Sequence, residues 1–488
     1  MVTFIISIVV LLLGYFIYGK FVERVFGPDN RPTPAVVKAD GVDYVVMPGW
    51  RIFMIQFLNI AGTGPIFGAI MGAKFGPAAY LWIVFGCIFA GAVHDYLSGM
   101  LSIRHGGANL PELVGLYLGN TTRKIMLAFS VLLLLMVGVV FVYSPAEIMS
   151  RMGGSEILWT ILIFSYYIVA TMMPIDKIIG KLYPLFAFAL LFMAVALMVV
   201  LFVKMPHLPE LWDGLGNMGA GKLANFKDQL FPCLFITIAC GAISGFHATQ
   251  SPLMARCLKS EKMGRPVFYG AMITEGFVAL IWATVSMYFF YDNPTPGYLL
   301  MSGVTEGVNS SSPAIVTIVC NNWLGVAGGI LAVLGVVAAP ITSGDTAFRS
   351  ARLIIAAALN IDQKGIMKRL YIAIPLFLVA IGLLVWHMGN ANGFQKLWNW
   401  FGWSNQTLAV FTLWAVTVYL VRQSKPYWIT LFPAFFMTTV CSTFLLISDQ
   451  ALGLKPRLAY SLGIAVLLVA VLWFVVWYRK TRQRQAIE

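Results

Sequence analysis

Two polar, glycine-broken stretches stand inside otherwise apolar segments. The first is Leu58-Asn59-Ile60-Ala61-Gly62-Thr63-Gly64-Pro65; the second runs from Cys240 through Gly241, Ser244, Gly245, His247 and Gln250 to Pro252. Glycine is poor in helix interiors, and an interior proline lacks an N–H and clashes with the preceding turn, so each stretch is expected to break its helix. At membrane depth a break exposes backbone N–H and C=O groups, tolerated only where buried in protein or lining a cavity. Pro65 suits the first position of a new half-helix, where its missing N–H costs nothing. Half-helices starting after Gly64 and after Gly245 would aim N–H groups and positive dipole ends at a carboxylate, while the carbonyls ending the preceding halves favour a cation. Asn59, Gly62, Thr63, Gly64, Gly241, Ser244, Gly245, His247 and Gln250 are therefore the expected substrate-binding residues. A packing kink accounts equally well for either motif taken alone, and His247 divides evenly between substrate contact and structure.

Asp95, Glu147, Glu275 and Asp345 lie within or at the ends of apolar segments. A carboxylate at the bilayer centre costs ~2.5–3.5 kcal/mol on insertion scales, so each is expected to face a partner, the bundle or water. Arg104 follows Asp95, and Arg349 stands at i+4 from Asp345, so both acids read as ion pairs or as proton carriers. His94, His105, His207 and His387 share no helical face with one another or with a cysteine, and no zinc or iron site follows from their spacing. The six cysteines are scattered singly, without a CxxC pair. A GxxxxGK run at 216–222 has Leu223 where a magnesium-binding Ser or Thr belongs and no preceding strand, so nucleotide binding is not expected.

The elements that carry these groups follow from composition. The 488 residues are 59% apolar and 11% charged, with mean hydropathy +0.83. That leaves too little polar surface for a water-soluble body. An all-helical polytopic membrane protein is expected. Apolar windows give thirteen spans, near 2–18, 51–72, 78–100, 124–146, 157–173, 182–203, 230–256, 267–291, 314–343, 367–388, 396–421, 426–448 and 458–478. The first lacks a charged leader and a cleavage site and reads as a retained helix. Residues 108–119 read as an amphipathic segment lying on the membrane, and 345–360 as a cytoplasmic extension or interfacial helix. With the N-terminus outside, 25 of the 33 Lys and Arg fall in inside segments and 8 outside, which makes the C-terminus cytoplasmic. The formal charge of +13 is thereby explained without nucleic acid.

Counting from the second span, spans two to six and seven to eleven make two sets of five, each opening on a broken helix. Five is odd, so the second set enters from the opposite side: an inverted repeat, whose broken helices meet near the midplane. One membrane domain over 1–488 results, with a first helix and loop (1–48), a first repeat (49–203), a second repeat (230–421) and two terminal helices with a basic tail (422–488).

The run CGAISGFHATQSP at 240–252, together with AGTGP at 61–65, GAVHDY at 91–96 and SNQTLA at 404–409, resembles the carbon starvation (CstA) family of inner-membrane transporters over roughly residues 50–421. His94 stands where Gln is expected. The resemblance implies uptake of peptides during carbon starvation or proton-coupled uptake of pyruvate. It also implies the leucine-transporter-like five-plus-five fold of the amino acid–polyamine–organocation superfamily. In sodium-coupled proteins of that fold, one helix supplies a backbone carbonyl and then Thr and Ser hydroxyls three and four residues on. Ala339, Thr342 and Ser343 reproduce this, with the carbonyls of Leu58 and Ala61 to complete the shell. Positions i, i+3 and i+4 share a helical face, and neutral oxygens suit a hard cation. The alternative is a proton, with Asp345 or Asp95 as carrier; sodium ranks first. The reading is an ion-coupled secondary transporter importing a small carboxylate-bearing nutrient, with no organic cofactor. A membrane-embedded enzyme would need HExxH, GxSxG or a metal cluster, none of which is found; a channel would need a filter-like run.

Overall fold

The computed structural model describes residues 1–173, 179–215, 230–289, 312–363, 365–389 and 393–487, and these form sixteen main helices without a strand among them. They are α1 (Val2–Phe26), α2 (Gly49–Ala61), α3 (Gly64–Phe75), α4 (Ala78–Arg104), α5 (Leu110–Leu118), α6 (Asn120–Met152), α7 (Glu156–Met172) and α8 (Ile179–Lys204). There follow α9 (Leu230–Thr237), α10 (Gly245–Ala255), α11 (Glu261–Met287), α12 (Ser312–Leu359), α13 (Ile366–Met388), α14 (Gly393–Arg422), α15 (Trp428–Ile447) and α16 (Pro456–Ile487). Among the described residues nine helices are long and apolar enough to cross a membrane, or ten if the bent pair α2–α3 counts as one span. The chain is a multi-pass membrane protein.

Both expected breaks are present. Helices α2 and α3 meet at 50°; Gly62 turns the chain at φ +48°, in the left-handed region that side chains avoid. Gly241 does the same between α9 and α10 at φ +93°. The broken segments sit at the centre. The most apolar window of α11 is 89% buried, whereas that of α16 is 17% buried and turns Leu468, Val469, Leu472 and Trp473 outward. An apolar exterior of this kind is what a bilayer solvates. Around α2 pack α8, α10, α11 and α12, and α10 also lies against α4 and α14.

Three expectations change. The first helix runs to Phe26 rather than stopping near 18. Residues 345–359 continue α12, as an extension would, but Arg349 and Arg352 on it are fully buried and only its last residues, such as Leu359, are exposed, so it is not an interfacial helix. The amphipathic segment is α5, capped by Asn109 and Glu112, with Leu110, Leu113 and Val114 turned into the core.

Candidate functional site

The strongest constellation is assembled from three helices. Asp95, on α4, is fully buried. Its Oδ1 lies 2.7 Å from Nδ1 of the neighbouring His94, and its Oδ2 lies 2.8 Å from Nδ1 of His247 on α10. His247 stands in the first turn of α10, which begins at Gly245 after the turn at Gly241, and α10 packs on α4. On its other side, Nε2 of His247 is 3.4 Å from Oε2 of Glu275 on α11. All four side chains are sealed from solvent.

Hydrogen positions follow from the acceptors. With a carboxylate oxygen on each Nδ1, both histidines carry their hydrogen there. Neutral His247 then turns a bare Nε2 lone pair towards Glu275, and neither Nε2 nor the Glu275 oxygens has a side-chain hydrogen-bond partner. One proton between them satisfies both atoms; without it two lone pairs face each other. The row His94–Asp95–His247–Glu275 is therefore a buried chain of titratable groups with one open position, between His247 Nε2 and Glu275, that a proton would satisfy. Cys240, at the end of the other half of the break, flanks it: its Sγ, His247 and Glu275 offer three donor atoms within 4.8 Å.

The anticipated ion pairs do not form. Arg104 donates from Nε and Nη2 to Glu261, at 3.1 and 3.2 Å, leaving Asp95 to the histidines. Asp345 accepts from the Tyr183 hydroxyl at 2.6 Å, and Arg349 one turn on reaches back to the carbonyls of Ala170 and Met173. Glu147 pairs with Arg151 at 3.0 Å.

At the first break, Asn59 and Thr63 are fully buried, and Asn59 Nδ2, Asn59 Oδ1 and Thr63 Oγ1 have no hydrogen-bond partner. Gln250 leaves its Oε1 in the same condition while its Nε2 donates to Thr249. Buried polar atoms are normally satisfied, and a group of exceptions marks where a polar ligand or water belongs. The glycines serve close helix contact in this conformation. A Cβ on Gly64 would stand 2.2 Å from Cys240 Cβ, one on Gly241 2.5 Å from Ala279 Cβ, and one on Gly62 2.8 Å from the Phe141 ring. At Gly245 it would stand 2.3 Å from the Ala409 nitrogen. The N-terminus of α10 is capped from α14: Asn405 Oδ1 accepts from the Phe246 N–H at 2.6 Å and from the Ser244 hydroxyl at 3.0 Å.

Four of the five oxygens named for sodium, those of Leu58, Ala339, Thr342 and Ser343, lie together, while among the described residues no such contact joins the Ala61 carbonyl to them. Ser343 Oγ lies 3.0 Å from the Leu58 carbonyl and 3.0 Å from that of Ala339, and Thr342 Oγ1 lies 2.8 Å from the same Ala339 oxygen. Both hydroxyls thus bond back to their own helix, and Ser343 also ties α12 to the last turn of α2, which ends at Ala61. Sequence reasoning gave Asn405 and Tyr183 no role and set His94 aside. Asn405 lay in a motif already singled out, and His94 adjoins Asp95, so both signals were within reach.

Over an alignment of 555 positions, gaps included, the chain is 26% identical to the peptide transporter CstA of Escherichia coli (strain K12), covering 88% of this chain and 78% of that one. It is 30% identical over 386 residues to the pyruvate/proton symporter BtsT of the same organism, covering 63% and 53% of the two chains. A crystal structure of a single-substitution mutant of the Eremococcus coleocola manganese transporter superposes with TM-score 0.58 at 12% identity, covering 91% of this chain and 99% of that one, a likeness of fold. These relatives are transporters, not enzymes. A family model for carbon starvation protein CstA matches residues 1–151, 142–294 and 306–444, and the chain belongs to that family.

Proposed function

We propose that this protein is a proton-coupled symporter that imports a small carboxylate-bearing organic nutrient, pyruvate or a short peptide, by alternating access about its two broken helices, as part of a carbon starvation response. The observation that carries the reading is the sealed row His94–Asp95–His247–Glu275. It spans α4, α10 and α11 and includes the first turn of a half-helix, so movement of α10 changes the distances on which the shared proton depends. A charge at this depth is retained only at a cost, and proton relays are a recurrent reason for retaining one. The relatives named for peptide and for pyruvate with proton support both the solute class and the ion.

In this reading the architecture is thirteen spans with a five-plus-five inverted repeat over 49–203 and 230–421, set in the inner membrane with the N-terminus outside and the C-terminus cytoplasmic. Asn59 and Thr63, with Gln250, supply the unpaired polar groups of the substrate site, and opening of the bundle frees the glycine-lined backbone for the carboxylate. A second reading keeps sodium as the coupling ion, because Ser343 brings the Leu58 and Ala339 carbonyls to one point. Uptake of labelled pyruvate and of di- and tripeptides into proteoliposomes, under an imposed proton or sodium gradient, decides between them. Accumulation driven by protons alone is expected; accumulation driven by sodium alone transfers the coupling role to α12.

A further inference from the structure

At the end of the bundle where α4 and α10 finish and α2 begins, a second buried polar group stands apart from the row described above. Arg349 and Arg352, both fully buried on the last part of α12, face Asp43 from the segment preceding α2. Asp43 Oδ1 is 3.7 Å from Nη1 of Arg349 and 3.9 Å from Nη2 of Arg352, both beyond hydrogen-bond length. Nε and Nη1 of Arg349, Nε and Nη2 of Arg352, and Oδ1 of Asp43 have no hydrogen-bond partner. The satisfied N–H groups bond to neutral acceptors: Arg349 Nη2 to the carbonyls of Ala170 and Met173, and Arg352 Nη1 to the Gln363 side chain. Arg256 beside them is committed to the Gly107 carbonyl and to Asn109.

The Nε/Nη2 edge of arginine is the one that grips planar oxyanions with two parallel bonds. Three arginines of this chain use that edge fully: Arg31 on Asp29, Arg104 on Glu261 and Arg256 on Gly107. Arg352 holds the same edge empty while sealed from water. A buried guanidinium without a hydrogen-bonded counter-charge is costly, and Asp43 is shared between two.

We propose that Arg352, backed by Arg349, forms a second binding site for a small oxyanion, a carboxylate or inorganic phosphate, and that the anion competes there with Asp43 for the guanidiniums. In the orientation proposed above this is the cytoplasmic end, so a carboxylate substrate leaving the central site meets it on the way out. Only the choice of carboxylate as ligand rests on the transport reading; the site itself does not.

The test is equilibrium binding of labelled pyruvate, of a labelled dipeptide and of inorganic phosphate to the full-length protein in nanodiscs, with no ion gradient. Thermal stabilisation by each anion is measured alongside. Wild type is expected to bind one oxyanion that Arg352→Gln loses, its affinity falling roughly tenfold or more, with Arg352→Lys restoring only part because an ammonium lacks the two-pronged edge. Asp43→Asn supplies the opposite sign, and guards against Arg352→Gln failing to fold: removing the competing carboxylate should tighten anion binding several-fold. Binding of phosphate but not of pyruvate or dipeptide assigns the site to inorganic oxyanions and separates its fate from that of the transport reading. Unchanged binding in Arg352→Gln, or no tightening in Asp43→Asn, overturns the proposal and leaves a structural ion pair.

Discussion

Replacing Asp95 by Asn tests the proton row with the least disturbance of shape. The carboxylate now accepts one hydrogen bond from each of two buried histidines, at 2.7 and 2.8 Å. An amide of the same size has one acceptor oxygen, so it keeps one of these bonds and presents an NH2 to the other ring. That ring must give up its Nδ1 hydrogen or leave two donors opposed. If His247 is the ring affected, its hydrogen moves to Nε2 and is committed to Glu275, and the shared position disappears. A hydrogen bond to a charged group contributes about 1.5–3 kcal/mol. Loss of one therefore corresponds to roughly a tenfold to hundredfold fall in proton-driven uptake, at about 1.4 kcal/mol per factor of ten. The assay is uptake into proteoliposomes under an inward acid gradient, set beside counterflow exchange of labelled for unlabelled substrate, which needs no net proton movement. Asp95→Asn should lose the first and keep the second. Wild-type accumulation in the variant refutes the assignment of the proton to this row, and loss of both activities equally shows that Asp95 is structural.

Other consequences follow from particular contacts. In Gly245→Ala the new Cβ falls 2.3 Å from a backbone nitrogen of α14, and such overpacking costs ~1–3 kcal/mol; Gly382→Ala meets nothing within 4 Å and should be neutral or slightly stabilising. Melting curves of the two purified variants should move in opposite directions or leave Gly382→Ala unchanged. Combined Thr342→Val and Ser343→Ala removes the link from α12 to the Leu58 carbonyl, at ~1 kcal/mol; proton-driven uptake should persist, and a sodium-stimulated component abolished by this pair would return coupling to sodium. Reporters fused after Glu488 and in the loop near Arg31 should both read cytoplasmic. One placed between residues 293 and 312, a segment outside the described residues, should read external, and opposite signals at any two points would overturn the inverted-repeat arithmetic.

The breaks were legible in the sequence because their causes are local: glycine and proline act through φ and the missing N–H, wherever the rest of the chain lies. Gly62 and Gly241 accordingly take positive φ where a break was expected. What could not be read was which residues the breaks bring together. Asp95 and His247 are 152 positions apart and meet only because α10 packs on α4. The i+4 rule suggested Arg349 for Asp345, but Tyr183 arrives from α8, and the rule knows nothing of a third helix. His94 was set aside for sharing no helical face with another ligand type, yet its adjacent carboxylate has two oxygens and reaches both rings. The glycines read as a cradle for backbone approach are, in this conformation, sites of close helix contact, and a sequence alone does not say whether a ligand or a helix fills the space above a glycine.

The most direct test of the account is proton movement with substrate. Proteoliposomes loaded with a pH-sensitive dye, equal in pH and sodium on both sides and made leaky to potassium to prevent charging, receive external pyruvate or dipeptide. The account predicts acidification of the lumen at the rate of substrate entry, lost in Asp95→Asn. Substrate entry with no change of lumenal pH, and with dependence on external sodium instead, would contradict it.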